Sequence, residues 1–386
     1  MATEKVKRIR KKISDIQPER THMPIQDGAE RVGNFDEVTF GYSEADALRE
    51  ANRCLICPKA KCTKACPVSI DIAAFIQKIT DGDFKGAWLT VTDANLMPAV
   101  CGRVCPQEDQ CEGVCVIGKT LEPVAIGRLE RYLGDLAIEQ GWTAESEIEA
   151  NGLRIGIVGS GPAGIACAAD MAKAGCEVTV FEALHKPGGV LRYGIPEFRL
   201  PDEVIDAEVE NLKNLGVNVE CNTLVGRLFT IEQMVGEMGF DAVFIGTGAG
   251  TPRFMNIPGE YLNGVLSANE LLTRCNLMKA GTFPNHDTPL GLGKNVAVIG
   301  AGNTAMDALR VSLRLGAEKV MCVYRRTFEE SPARLEEIEH AEEEGVEFNW
   351  LSAPVELLDD GEGNVCGMRC IRFELGEPDD SGRRRP

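Results

Sequence analysis

From residue 154 onward the apolar positions fall into short runs separated by helix-spaced stretches. Ile155, Ile157 and Val158 form one run that ends in Gly159-Ser160-Gly161-Pro162-Ala163-Gly164. A small-residue stretch follows, then a second run, Val178 to Phe181, closed by Glu182. This order predicts strand, glycine turn, helix, strand and a terminal acid. The pattern returns about 140 residues later, an internal repeat in architecture. There the strand is Asn295 to Ile299, the turn Gly300-Ala301-Gly302-Asn303-Thr304-Ala305, the helix Met306 to Leu315 and the next strand Val320 to Tyr324. Asp241 to Gly250 reads as a further strand that ends in glycines and returns the chain toward a cofactor at Gly248.

Upstream the periodicity is helical. Ser43 is an N-cap with an acid in the first turn, and helices are predicted over Ile70 to Thr80, Phe84 to Thr92 and Val124 to Glu139. Residues 1 to 42, polar and without periodicity, read as an extended, partly ordered arm, and Gly141 to Leu153 as a linker. The chain is therefore of the α/β class. A helical domain over 43–141 is followed by nucleotide-binding domains of the Rossmann type over 153–280 and 281–386, joined through the connector Thr282 to Gly293.

The glycines carry chemistry as well as shape. Gly159 makes the tight turn, Gly161 admits a pyrophosphate to the backbone, and Gly164 lets the helix pack on its strand. Pro162 and Ala163 open the helix, whose free N–H groups attract phosphate. Glu182 suits a free ribose hydroxyl and repels a 2′-phosphate, which points to FAD. In the second unit Gly300 and Gly302, with Asn303 and Thr304, form the turn, and Ala305 replaces the third glycine. There Arg325 and Arg326 follow the second strand, where two guanidiniums suit a 2′-phosphate and point to NADPH. The competing reading of that pair is a solvated surface. The loop from His185 to Pro196 offers Gly188, Gly189, Leu191, Arg192 and Ile195 to a flat isoalloxazine ring.

Composition changes the picture at one place. The chain has 386 residues, a net charge of −18 and 44% hydrophobic residues, a soluble balance that disfavours nucleic acid or an anionic membrane as main partner. No signal peptide or long apolar span is evident, so a cytoplasmic location is expected. There, fifteen cysteines are no disulfide framework. Eight form two groups: Cys54, Cys57, Cys62 and Cys66-Pro67, then Cys101, Cys105-Pro106, Cys111 and Cys115. Proline directly after Cys66 and Cys105 matches ferredoxin-type runs, so two [4Fe-4S] clusters are expected, with zinc the alternative. Cys167, Cys176, Cys221, Cys275 and Cys322 read as small core residues, and Cys366 with Cys370 as part of a strand-like segment.

Taken together, CLICPKAKCTKACPVSIDI, AVCGRVCPQEDQCEGVC, VGSGPAG, GGVLRYGIPEFRLP and VIGAGNTAMDA with VYRR resemble one family. It is that of the small (beta) subunit of NADPH-dependent glutamate synthase, a module shared with the N-terminal part of dihydropyrimidine dehydrogenase and with ferredoxin-dependent transhydrogenases. The resemblance implies a double [4Fe-4S] domain followed by an FAD domain that an NADPH domain interrupts. It further implies that the cysteine groups cross over: Cys54, Cys57, Cys62 and Cys115 at one cluster, Cys66, Cys105 and Cys111 at the other. The fourth ligand of the second cluster would be Glu130, whereas spacing alone selects Cys101. Family members continue with a glycine-acid motif that completes the FAD site, so this chain is expected to be a fragment.

The function so implied is electron input to glutamate synthesis. Hydride from NADPH to FAD would yield single electrons for the clusters and then for a large-subunit partner that makes glutamate from glutamine and 2-oxoglutarate. The alternatives on the same module are a ferredoxin:NADP transhydrogenase or sulfide dehydrogenase subunit. A non-catalytic, metal-dependent docking module is a third. No acid, base or nucleophile of the chain is required for catalysis.

Overall fold

The structure, a computed structural model, describes residues 12–143, 148–378, 380 and 382–386. Residues 1–11 of the arm and part of the linker lie outside the described residues. The chain divides into two compact units, the first made of Met1–Ile25, Thr39–Pro187 and Arg199–Thr247, the second of Gln26–Val38, Gly188–Phe198 and Gly248–Pro386.

The first unit begins with a helical domain. Helix Glu44–Ala51 opens with a capping box in which the Ser43 hydroxyl accepts from the Asp46 N–H while Asp46 accepts from the Ser43 N–H. Asp71 and Asp83 cap helices Ile72–Thr80 and Phe84–Thr92 by accepting from the Ala74 and Gly86 N–H groups. Their apolar faces bury Phe75, Ile76, Ile79 and Val91 against Leu129 and Leu133 of helix Ile126–Glu139. That last helix also crosses helix Pro98–Val104 at backbone distance. A Cβ on Gly102 would stand 2.5 Å from the Arg131 nitrogen, and one on Gly134 would stand 2.4 Å from the Ala99 nitrogen. The two glycines thus set the approach of the helices that carry Cys101, Cys105 and Glu130.

The same unit holds a parallel sheet of β1 (Arg154–Val158), β2 (Glu177–Phe181), β3 (Asn218–Glu220) and β4 (Ala242–Ile245), in the order β3-β2-β1-β4. Helix Pro162–Lys173 links β1 to β2. In the second unit, β5 (Asn295–Ile299), β6 (Lys319–Val323) and β7 (Glu347–Asn349) form a parallel sheet, and β8 (Ser352–Asp359) pairs with β9 (Val365–Arg372) as an antiparallel hairpin. Both strand–turn–helix–strand units stand where the apolar runs predict them. The second helix starts at Asn303, three residues before the expected Met306, because Asn303 and Thr304 already belong to its first turn.

The arm departs from expectation. Residues 26–38 are packed within the second unit, and they include the helical turn Gly28–Arg31. Arg31 is fully buried, pairing with Glu343 at 2.6 Å and Glu344 at 2.8 Å. An ion pair to a carboxylate more than 300 residues away leaves no local periodicity, so the polar sequence gave no sign of it. Among the described residues, no helix is long and apolar enough to cross a membrane.

Candidate functional site

The cysteine loops bring the predicted ligands together in two sets. Cys54, Cys57, Cys62 and Cys115 line one cavity walled by Ile72, Ile76, Ile117 and Val124. Burial pushes the Cys54 thiol up to about 12 and Cys62 to about 11, and the neighbouring thiols of the same set add to both shifts. Cys54 and Cys62, so raised within an apolar wall, hold their protons unless a cation compensates, the condition a cationic iron centre meets. The donor chemistry therefore fits an iron–sulfur cluster. Cys115 joins the first loop's thiols although 49 residues separate it from Cys66, the last cysteine of that loop, as the family's crossover implies.

The second set contains Cys66, Cys105, Cys111 and Glu130. Burial raises the Cys111 thiol, and Glu112, Glu130 and Cys66 act in the same direction. Glu130 is buried on helix Ile126–Glu139, and burial, with Cys105 beside it, lifts its carboxyl to about 8. Cys101 lies against Cys105 too, and its hydrogen bond to Cys105, then burial, raise it well above the usual thiol range. Both candidates for the fourth position therefore adjoin Cys105. Asn95 touches both, donating to Glu130 Oε1 at 2.7 Å and accepting from Cys101 at 3.6 Å. The sequence offered no signal for Asn95, a lone amide before a proline-led helix. Among the described residues, no three of these groups close on one ion-sized point.

At the first glycine turn Gly159 has φ of +99°, and a Cβ on Gly164 would stand 1.9 Å from the Gly159 carbonyl oxygen. Helix Pro162–Lys173 starts from Gly161 with no side-chain cap, so its first N–H groups remain for a phosphate. Glu182 is buried at the end of β2. Its Oε2 accepts from the Ser160 N–H at 2.9 Å and from the Ser160 hydroxyl, and its Oε1 from the Leu184 N–H at 2.8 Å. The acid therefore fastens the turn as well as standing at the ribose position.

The second turn has Gly300 at φ +122° and also opens its helix, at Gly302, without a side-chain cap. Asn303 accepts from the Arg334 N–H at 3.1 Å, and the Ser331 hydroxyl donates to the Ala301 carbonyl at 2.7 Å, so residues 331–334 border the turn. The two arginines after β6 differ. Arg325 is exposed, whereas Arg326 is buried and donates from Nε to the Arg384 carbonyl at 2.8 Å. The loop from Gly188 belongs to the second unit. Its Leu191 and Arg192 are buried in the turn Val190–Tyr193, Ile195 is half-buried, and Gly189 has φ of +53°. Gly248, at φ +75°, follows β4 in the second unit's part of the chain. Of the isolated cysteines, Cys275 and Cys322 are buried and Cys167, Cys176 and Cys221 half-buried, while Cys366 and Cys370 are exposed on β9.

Residues 31–142 match the family described as dihydropyrimidine dehydrogenase domain II, 4Fe-4S cluster, and residues 153–373 match the pyridine nucleotide-disulphide oxidoreductases. The chain is 37% identical to the glutamate synthase [NADPH] small chain of Escherichia coli K12, over 91% of this chain and 75% of the relative. It is also 37% identical to the small chain of Azospirillum brasilense, over 93% and 74%. The NADP(+)-dependent formate dehydrogenase subunit beta of Moorella thermoacetica is 38% identical over 85% of this chain and 48% of its own length.

Proposed function

Because the chain belongs to the family of the NADPH glutamate synthase small chain, we propose that it is the electron-input subunit of such an enzyme, acting with a large subunit that makes glutamate from glutamine and 2-oxoglutarate. The chain is an oxidoreductase of FAD, NADPH and [4Fe-4S] type. When bound, these groups supply the conversion of a hydride pair into single electrons. The polypeptide binds and orients them, in a compartment that keeps thiols reduced.

In this reading, the turn at Gly159, Gly161, Pro162, Ala163 and Gly164 receives the FAD pyrophosphate and Glu182 its ribose. Gly188, Gly189, Leu191, Arg192 and Ile195 are assigned to the flat ring, and Gly248 to the cofactor's edge. Gly300, Gly302, Asn303 and Thr304 receive the NADPH pyrophosphate. Exposed Arg325 grips the 2′-phosphate, with Arg326 anchored behind it by the Arg384 carbonyl. Cys54, Cys57, Cys62 and Cys115 hold one cluster; Cys66, Cys105, Cys111 and Glu130 hold the other, Cys101 being the alternative to Glu130.

The observation that supports the proposal is the gathering of Cys54, Cys57, Cys62 and Cys115 on one cavity, with Cys66 and Cys105 near buried Cys111 and Glu130, on a chain with two glycine turns that open helices. Iron, sulfide and flavin analysis of the purified protein, followed by anaerobic addition of NADPH, tests it. Brown protein whose visible absorbance bleaches with NADPH is expected, with Arg325→Ala weakening NADPH selectively over NADH. A colourless, zinc-containing protein would sink the reading. The formate dehydrogenase relative favours a second one, in which the same input module serves another acceptor, as a transhydrogenase subunit would. Assay with 2-oxoglutarate and glutamine beside the co-purified partner separates the two.

A further inference from the structure

The stretch that supplies three of the four thiols of the first cavity has a charge unlike the chain as a whole. From Cys54 to Ile70 there are three lysines, Lys59, Lys61 and Lys64, and no acid, in a protein of net charge −18. All three are exposed, and none makes an ion pair among the described residues. Five lysines elsewhere are matched with acids, Lys186 with Asp202, Lys213 with Glu210, Lys279 with Glu197, Lys294 with Glu318 and Lys319 with Glu347, while Lys78 and Lys173 donate to backbone carbonyls. The helical turn Lys61–Ala65 carries Lys61 and Lys64 three residues apart, hence on one side. Lys61 lines the cavity that Cys54, Cys57, Cys62 and Cys115 share.

Apolar side chains accompany the charge. Val114, on the lining of the same cavity, is 39% exposed, and Val68, four residues after Lys64, is 52% exposed. Lys119 stands exposed at the end of the turn Ile117–Lys119, whose Ile117 also lines the cavity. Lys61 and the exposed Val114 on the lining of the thiol cavity, with exposed Lys59, Lys64, Val68 and Lys119 close in sequence to other lining residues, make a small contact zone with a basic rim. Weak electron-transfer encounters use interfaces at the small end of the range, and charge complementarity sets their speed more than their affinity.

We propose that this face docks an acidic surface of the electron-accepting protein, so that Lys59, Lys61, Lys64 and Lys119 steer the partner's redox centre to the Cys54–Cys57–Cys62–Cys115 set. The proposal rests on the cluster assignment made above. Each encounter passes one electron, with NADPH the ultimate donor; the acceptor gains it and no bond is made or broken. A solvating fringe or an anionic membrane gives no reason for Lys61 and the exposed Val114 to stand on the lining of the thiol cavity.

The test uses the holoprotein reduced anaerobically with NADPH, with an acidic plant-type ferredoxin and basic cytochrome c as probes. Wild type is expected to reduce ferredoxin about tenfold faster at low salt than at high salt, because exposed charges steer only over a Debye length. Lys59→Glu with Lys64→Glu should lose about that tenfold at low salt and gain rate on cytochrome c. The Lys→Gln pair should fall between, with its own absorbance still bleached by NADPH. Dithionite in place of NADPH gives the same contrast if nicotinamide input fails, so the surface and the input are judged separately. Equal ferredoxin rates and salt slopes for all three proteins overturn the proposal. So does retention of wild type on phosphatidylserine vesicles that the Glu pair abolishes without change in ferredoxin rate.

Discussion

In the first nucleotide unit, the helix leaving the turn, Pro162–Lys173, buries a face of Ile165, Ala168, Ala169 and Ala172. In the second, the corresponding helix, Asn303–Arg314, also has an apolar face, but it carries Arg310 and Arg314 to a buried carboxylate, Glu344. One strand–turn–helix template is thus held in one case by close approach of small residues and in the other by charge. The Glu344 carboxylate takes hydrogen bonds from Arg31, Arg310 and Arg314, and the last two guanidiniums lie over the Phe198 ring at 4.5 and 4.0 Å. Glu337 adds an ion pair to Arg310 at 2.5 Å. Contact at the first turn is intolerant of volume; the network at the second is intolerant of a change in charge.

The largest expected effect breaks the ionic side. Glu344→Gln leaves three guanidiniums short of a buried partner, and losing one member of such a set costs about 3–5 kcal/mol. In chemical denaturation the second unit's transition should move to lower denaturant while the first unit's stays. Acid should do the same without mutation. Burial alone would raise the Glu344 carboxyl, but hydrogen bonds from Arg314 and Arg310 outweigh it and hold the group at about 2 against an ordinary 4.5. Its stabilisation is therefore complete above about pH 4.5 and is lost as pH falls toward 2. His340 begins the loss earlier. Burial holds its ring below the ordinary 6.5, so the unfolded chain takes up the proton first as pH falls below that value. Intrinsic fluorescence against pH, which Trp350 of the second unit reports, checks the order.

Gly164→Ala is the counterpart at the first turn. The added Cβ would meet the Gly159 carbonyl oxygen at 1.9 Å, a backbone atom that cannot rotate away. Overpacking of this kind costs about 1–3 kcal/mol, and here the turn that must yield is the one assigned to the pyrophosphate. Bound flavin should fall sharply while the iron content is kept, which flavin and iron assays of the purified variant measure. Unchanged flavin would mean that close approach is not what shapes this site.

How far the sequence disclosed these arrangements follows from the range of the forces behind them. Both turns, the strands β1, β2 and β5 and the helix Phe84–Thr92 were legible, because glycine spacing, apolar runs and caps act within a dozen residues. Glu182 was legible by position, though its hold on Ser160 was not. The grouping of Cys115 with Cys54, Cys57 and Cys62 came through family resemblance, since spacing is silent on which loops cross. Least legible were Arg31 and Asn95, whose partners Glu344 and Glu130 lie far along the chain. A buried ion pair or amide contact leaves no period to read.

The second turn tolerates added volume. Ala305 occupies the place of the third glycine in the second turn, and its methyl group stands 3.9 Å from where a Cβ on Gly300 would lie, an ordinary contact. Ala305 is buried in the cluster of Met306, Leu309 and Ile338, so the methyl packs where Gly164 has no room for one. Placing glycine at the third position of the motif by Ala305→Gly should then lower stability by about 1 kcal/mol, the helix preference of alanine over glycine, with little added for so small a cavity. The NADPH KM should stay within about twofold, since the helix N–H groups at Asn303 and Thr304 keep their place. If Ala305→Gly instead stabilised the second unit, its helix would be pressing on the turn as the first one does, and the contrast between the two units would fall.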